Sequence, residues 1–280
     1  DAVDPVVAHR IGDLTGNGPA GLWQILGRAH KVRLMTVAKI RLCVDQALGA
    51  RQSVTLTEAQ AHYLFGVMRE GAGARILTFN GRDGEWLCEV TEAGRRKGSL
   101  ACREHVRVQD APSDLWLLFA PVKKARTDFI VEKAVEMGVA RILPVMTDFT
   151  NAERFRRDKA LAHVREAAEQ CGRLTIPEVT EPAPLARVLA GWSPGRRILW
   201  ADEERAGEGS ARDVLAGAAP GPWAILIGPE GGFSAAERDC LRAAPFVTPV
   251  ALGPRILRAE TAAVALLALW QAHLGDWAAA

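Results

Sequence analysis

At 280 residues and 30.2 kDa the chain has room for one large domain or two ordinary ones, since a domain takes roughly 100–200 residues. Apolar residues make up 49% and charged residues 24%, the balance of a globular chain, neither disordered nor fibrous. The net charge is only +2 and no run approaches the ~20 apolar residues of a membrane helix, so membrane residence is excluded and any nucleic-acid contact must come from a local patch.

Residues 1–34 hold five glycines and little periodicity, and Met35 stands just before the first strand-like run. They read as a leader, non-native or disordered, and are set aside from fold reasoning. Short strands follow at 40–44, 53–56, 75–80, 85–91 and 99–106, several alternating apolar with polar residues. One helical stretch, 58–68, interrupts them, with Ala61, Leu64, Phe65 and Met68 at helical spacing. Asn80-Gly81-Arg82-Asp83-Gly84 reads as a hairpin turn, because Asn and Gly supply positive φ. So many short strands predict a compact β-barrel over 37–109, followed by a linker at 110–114.

From 115 the rhythm changes to alternating strands and helices. Strands are predicted at 115–120, 141–145, 197–201, 224–228 and 248–252. Helices are predicted at 127–137, 158–171, 211–218, 235–243 and 261–274, with a Pro-rich stretch after the second. Ser234 and Glu237 supply the S-x-x-E capping box of the penultimate helix. Residues 115–280 are therefore expected to form an α/β domain with a mostly parallel sheet. Five widely spaced cysteines without a C-x-x-C pair argue against a disulfide framework or a zinc site and point to a reducing compartment.

In such sheets ligands collect beyond the carboxyl ends of strands. Two of these ends are unusual. The apolar strand ending at Ile227 breaks into Gly228-Pro229-Glu230-Gly231-Gly232, where glycines permit close backbone approach and Pro229 stiffens the turn. Neither G-x-x-x-x-G-K-[ST] nor G-x-G-x-x-G is present, so a nucleoside held here is read through backbone groups without a pyrophosphate grip. The second end is Leu252-Gly253-Pro254-Arg255-Ile256-Leu257-Arg258-Ala259-Glu260-Thr261. Arg258 stands at a helix start, where the partial positive charge of the helix disfavours it. A broken local rule of this kind marks function, unless Arg258 is simply paired with Glu230 or Glu260.

Taken in order, these two motifs closely resemble the rRNA small-subunit methyltransferase E family of the SPOUT class. Phe129 with Glu132-Lys133, Glu136-Met137-Gly138, Glu169-Gln170-Cys171-Gly172-Arg173, Val67-Met68-Arg69 and Phe79-Asn80-Gly81 match it too. The resemblance runs from about residue 39 to 275. It implies a trefoil-knotted α/β domain preceded by a small PUA-like β-barrel that binds RNA. It also implies S-adenosylmethionine as methyl donor, N3 of a uridine in small-subunit (16S) rRNA as acceptor, a homodimer, a cytoplasmic setting and no metal. The substrate is naked rRNA or the assembled small subunit. Carried over by motif, Leu199, Trp200, Ile227, Gly228, Pro229, Gly231, Gly232, Leu252, Gly253, Ile256 and Leu257 would form the donor pocket. Arg258 would stabilise the uracil anion electrostatically. Glu260 would accept a proton or orient Arg258. RNA phosphates would meet Arg41, Arg69, Lys123, Lys124, Arg126 and Arg173. The alternatives are a SPOUT enzyme with another nucleoside target and an RNA-binding protein without catalysis.

Overall fold

The computed structural model describes residues 38–111, 113–151, 155–205 and 209–278; the leader at 1–34 lies outside them. Two compact units emerge. Among the described residues, one comprises the chain up to Phe79 together with Glu85–Val108, the other Asn80–Gly84 and the chain from Gln109 onward.

The first unit carries strands β1 (Arg41–Cys43), β2 (Ser53–Thr55), β3 (Arg75–Phe79), β4 (Glu85–Ala93) and β5 (Gly98–Arg107). Their order is β1-β3-β4-β5-β2, with β1 parallel to β3 and the other pairs antiparallel. All five strands send side chains into one core, among them Leu42, Val54, Ile76, Val90 and Leu100. Simple alternation along β4 fails at Leu87 and Cys88, which are both buried. The register against β5 shifts between these two residues, and such an irregularity turns one side chain to each face. Cys88 joins the main core, while Leu87 joins a second small cluster with Ala38 and Leu77. Burial pushes the Cys88 thiol up to about 12, so it stays protonated and unreactive. The helical stretch starts as α1 (Glu58–Ala61) behind a Thr57–Gln60 capping box and widens into a π-helical turn over His62–Val67.

Arg41, expected on the RNA face, is turned inward. Its Nε donates to Glu85 Oε1 at 2.6 Å and its guanidinium lies 4.4 Å from the Phe79 ring centroid. A guanidinium committed to a buried carboxylate cannot also clasp phosphate, and so Arg41 is a structural residue. Arg69 is exposed, at a positive φ of 58°.

The second unit contains β6 (Leu115–Phe119), α2 (Lys124–Glu136), β7 (Arg141–Met146), α3 (Arg157–Cys171), β8 (Glu178–Val179), β9 (Ala183–Pro184) and α4 (Leu185–Ala190). It continues with β10 (Arg197–Ala201), α5 (Ala211–Ala216), β11 (Trp223–Ile227), α6 (Ala235–Ala243), β12 (Val247–Val250) and α7 (Ala259–Leu274). Every pairing is parallel, in the order β12-β10-β11-β6-β7-β8, with β9 also pairing β7. All five residues of β11 are buried, as expected where helices cover both faces of a sheet. The Pro-rich stretch holds β8, β9 and the six-residue α4, elements too short to impose a period on the sequence. What positions the site is the order β12-β10-β11, which brings together at the carboxyl ends of neighbouring strands the loops that follow Ala201, Ile227 and Val250.

The Arg41–Glu85 pair yields a stability prediction. Glu85 is 4% exposed at its side chain and also lies 3.5 Å from Arg107. Glu85→Ala leaves Arg41 buried and uncompensated and should cost about 3–5 kcal/mol, read as a lowered urea midpoint.

Candidate active site

A cleft of about 220 Å³ opens where the three loops meet. One wall comes from the end of β10, through Ala201, Asp202 and Glu203. Ile227, Gly228, Pro229, Glu230 and Gly232 after β11 form the second. Leu252, Gly253, Arg255, Ile256, Leu257 and Arg258 after β12 form the third, closed behind by Ala259 and Ala262 of α7. Two expectations are thereby corrected. Leu199 and Trp200 are fully buried inside β10, and Trp200 stacks edge-on against Phe233 at 5.5 Å. The cleft begins one residue later, at Ala201, because a parallel strand exposes only its carboxyl end to ligand. Gly231 is not part of the lining; a Cβ there would lie 3.1 Å from the Phe149 side chain. The acidic run Asp202-Glu203-Glu204 directly after an apolar strand was the signal for the missed wall.

The glycine loop is held by charge. Arg238 of α6 is buried; its Nη1 donates to Asp202 Oδ1 at 2.6 Å and its Nη2 to Glu203. Its Nε donates to the Phe233 carbonyl at 3.1 Å. Burial works against the charge of Arg238, but Glu203 and Asp202 outweigh it and hold the guanidinium above its ordinary range. Gly232 takes φ +69°, and a Cβ there would collide with the Glu203 carboxylate that Arg238 grips. A side chain at Gly228 would meet the Phe233 ring at 2.6 Å. The far end of the loop is pinned by the predicted capping box. Ser234 accepts from Glu237 N and donates to Asp148 Oδ2 at 2.5 Å, while Glu237 Oε1 accepts from Asp148 N.

Around Arg258 the charges pair differently from the expected way. Arg126 of α2 takes both neighbouring acids: its Nη1 donates to Glu230 Oε1 at 3.1 Å, and its Nε lies 3.5 Å from Glu260 Oε1. Arg258, exposed at the N-cap of α7, makes no hydrogen bond or ion pair with any described side chain. Glu260 therefore does not orient Arg258. Its Oε2 is buried without a hydrogen-bond partner.

The remaining cations divide. Lys123 and Lys124 are exposed, beside a separate cleft of about 490 Å³ that also meets Arg156 and Lys159. Arg126 belongs to the acid pair at the first cleft and is not a free phosphate contact. Arg173 is largely buried, donates to Thr175 Oγ1 at 2.5 Å and to the Val135 carbonyl at 3.0 Å, and is brought down to about 10 by burial. It braces α2 and is unsuited to RNA contact. Among the described residues no group of three His, Cys, Asp or Glu is placed to hold a metal.

The RNA methyltransferase domain family matches residues 109–271, and the RNA methyltransferase PUA domain family matches residues 56–100. The ribosomal RNA small subunit methyltransferase E of Mycobacterium tuberculosis is 32% identical over 214 residues, covering 72% of this chain and 79% of that protein. The protein of the same name from Rickettsia conorii is 27% identical over 229 residues, covering 81% of this chain and 93% of that one. Among solved structures, a Legionella pneumophila protein with bound cofactor SAM superposes with a TM-score of 0.76 at 28% identity, covering 85% of this chain and 98% of its own. A ribosomal RNA small subunit methyltransferase E from Neisseria gonorrhoeae, bound to S-adenosyl methionine, also gives 0.76, at 24% identity, covering 85% and 99%. The fold is thus the trefoil-knotted SPOUT α/β domain preceded by a PUA-like barrel.

The Arg238 cluster gives a second prediction. Arg238→Met removes the hydrogen-bonded guanidinium from the fully buried Asp202 carboxylate and leaves it only Arg242, 3.7 Å from Oδ2. The loss should be about 3–5 kcal/mol, measured by urea unfolding against wild type.

Proposed function

Since the chain belongs to the ribosomal RNA small subunit methyltransferase E family, we propose that it transfers a methyl group from S-adenosylmethionine to N3 of a uridine in small-subunit (16S) rRNA. The observation that carries this reading is the three-loop cleft with an unpaired arginine at its rim.

The residues present suit the donor. The lining is apolar at Ile227, Val250, Leu252, Ile256 and Leu257, with polar groups at a few places, as in small-ligand clefts generally. Gly228, Gly232 and Gly253 line the cleft and offer it backbone, open to the base and ribose of a nucleoside. Asp202 Oδ2, buried in the cleft wall with Arg242 at 3.7 Å but no hydrogen-bond partner, can accept from a ribose hydroxyl or an ammonium. When bound, S-adenosylmethionine supplies an electrophilic methyl group on a sulfonium.

The chain's own residues prepare the acceptor. Uracil N3 carries a proton and becomes nucleophilic as that proton leaves. Arg258 donates to a uracil oxygen and holds the negative charge that develops there, which preorganised donors do at little reorganisation cost. Glu260 Oε2, with its acceptor capacity unused, takes the N3 proton. The walls fix the geometry, and orientation of this kind can be worth ~7–11 kcal/mol in favourable cases. Residues 37–109 act as the PUA-like RNA-binding unit, 110–114 as a linker and 115–280 as the catalytic unit. Exposed Arg69, Lys123 and Lys124 supply phosphate contacts. The enzyme works as a homodimer, on naked rRNA or the assembled small subunit, and a ribosomal substrate implies the cytoplasm.

Two measurements check this reading. Arg258→Ala should lower kcat by about 10²–10³ with donor and RNA saturating, the usual consequence of removing one such donor. Near-normal turnover would remove Arg258 from the mechanism. Deleting the gene should abolish one reverse-transcription stop in small-subunit rRNA, because N3-methyluridine blocks Watson–Crick pairing. Persistence of every stop would refute the assignment.

A further inference from the structure

The acid that shares the cleft with Arg258 decides whether that residue can act. Glu230 lines the same cleft as Arg258, and Glu260 sits two residues along in the first turn of α7. Left alone, an exposed arginine that lines a cleft together with the Glu230 carboxylate is open to capture by it, since bidentate guanidinium–carboxylate pairing is the strongest arrangement open to it. That outcome is absent: both acids pair with Arg126, which reaches them from the first turn of α2. Arg126 is about one-third exposed, Glu230 two-fifths and Glu260 less than one-fifth, so the contact is partly shielded from water. Glu230 belongs to the loop after β11 and Glu260 to α7, which follows the β12 loop, so the same guanidinium also spans two of the cleft's walls.

We propose that Arg126 is a positioning residue that occupies Glu230 and Glu260 and thereby keeps Arg258 free for the substrate. The inference rests on the methyl-transfer reading for its kinetic consequence, while the pairing itself stands apart from it. Loss of Arg126 transfers Arg258 to Glu230, folding the catalytic guanidinium back against the loop. It does not remove a phosphate contact.

The test compares wild type, Arg126→Gln, Arg126→Lys and the double variant Arg126→Gln/Glu230→Gln. In the reading proposed, Arg126→Gln lowers kcat at least tenfold with RNA saturating. RNA affinity and its salt dependence stay unchanged, and S-adenosylmethionine binding measured by calorimetry stays within about twofold. Arg126→Lys retains an intermediate kcat, because a single ammonium can neutralise one acid at a time. With S-adenosylmethionine saturating as well, the double variant recovers part of the lost kcat, since Glu230 can no longer capture Arg258. A readout independent of turnover is the Arg258 side-chain Nε–H resonance in ¹⁵N NMR. Slowed exchange of that proton should appear in Arg126→Gln, where the guanidinium is paired, and vanish again in the double variant. Two results overturn the proposal: an Arg258 resonance unaffected by Arg126→Gln, or a salt slope reduced by about one with kcat intact, the mark of a phosphate contact. Should wild type fail to methylate RNA, the methyl-transfer reading falls while the resonance still decides the role of Arg126.

Discussion

The buried contact of Arg238 with Asp202 and Glu203 is the constraint on which the cleft depends. Asp202 and Glu203 follow β10, whereas Arg238 belongs to α6, directly after the glycine loop. Joining them fixes the loop's distance from the neighbouring strand end. A carboxylate with no exposed surface is tolerable only when a partner and hydrogen bonds replace its water, and Arg238 supplies both for Asp202 Oδ1. The unusual sequence of the loop then follows. Phe233 fills the space over Gly228, and the gripped Glu203 leaves no room for a side chain at Gly232.

The arginine-rich composition, 28 of the 35 basic residues, resolves into distinct uses of one side chain. Arg41, Arg173 and Arg238 spend their donors inside the protein, where a planar fork satisfies several acceptors. Arg126 bridges two acids at the rim of the cleft. Arg258 is left with its donors unspent, at a helix start where its charge gains nothing from the fold. A residue that the local electrostatics do not reward, beside a cleft built by three loops, is where substrate chemistry has room to act.

The same division shows why some residues could not be placed from sequence. Lys123, Lys124, Arg41 and Arg173 look equivalent as cations in a string of letters. What separates them is the identity of the nearest acceptor, and Glu85 lies 44 residues from Arg41 while Val135 lies 38 from Arg173. Leu199 and Trp200 lie two residues and one residue short of the wall at Ala201, because where a strand's ladder ends depends on its neighbours: β12 pairs β10 as far as Ala201. The π-helical turn after α1 and the two-residue strands β8 and β9 likewise leave no periodic trace.

Local chemistry wrote itself plainly into the chain. The Ser234–Glu237 cap, the Asn80–Gly84 turn, the change from short alternating strands to continuous apolar ones, and both Gly-Pro bends each depend on residues within a few positions. Tertiary structure alone decided that β10 lies between β11 and β12 and that Glu230 and Glu260 belong to Arg126. Propensity and hydrophobic period act over a turn or two of chain, whereas strand order and charge pairing are settled by which distant segments share a surface once the core has closed.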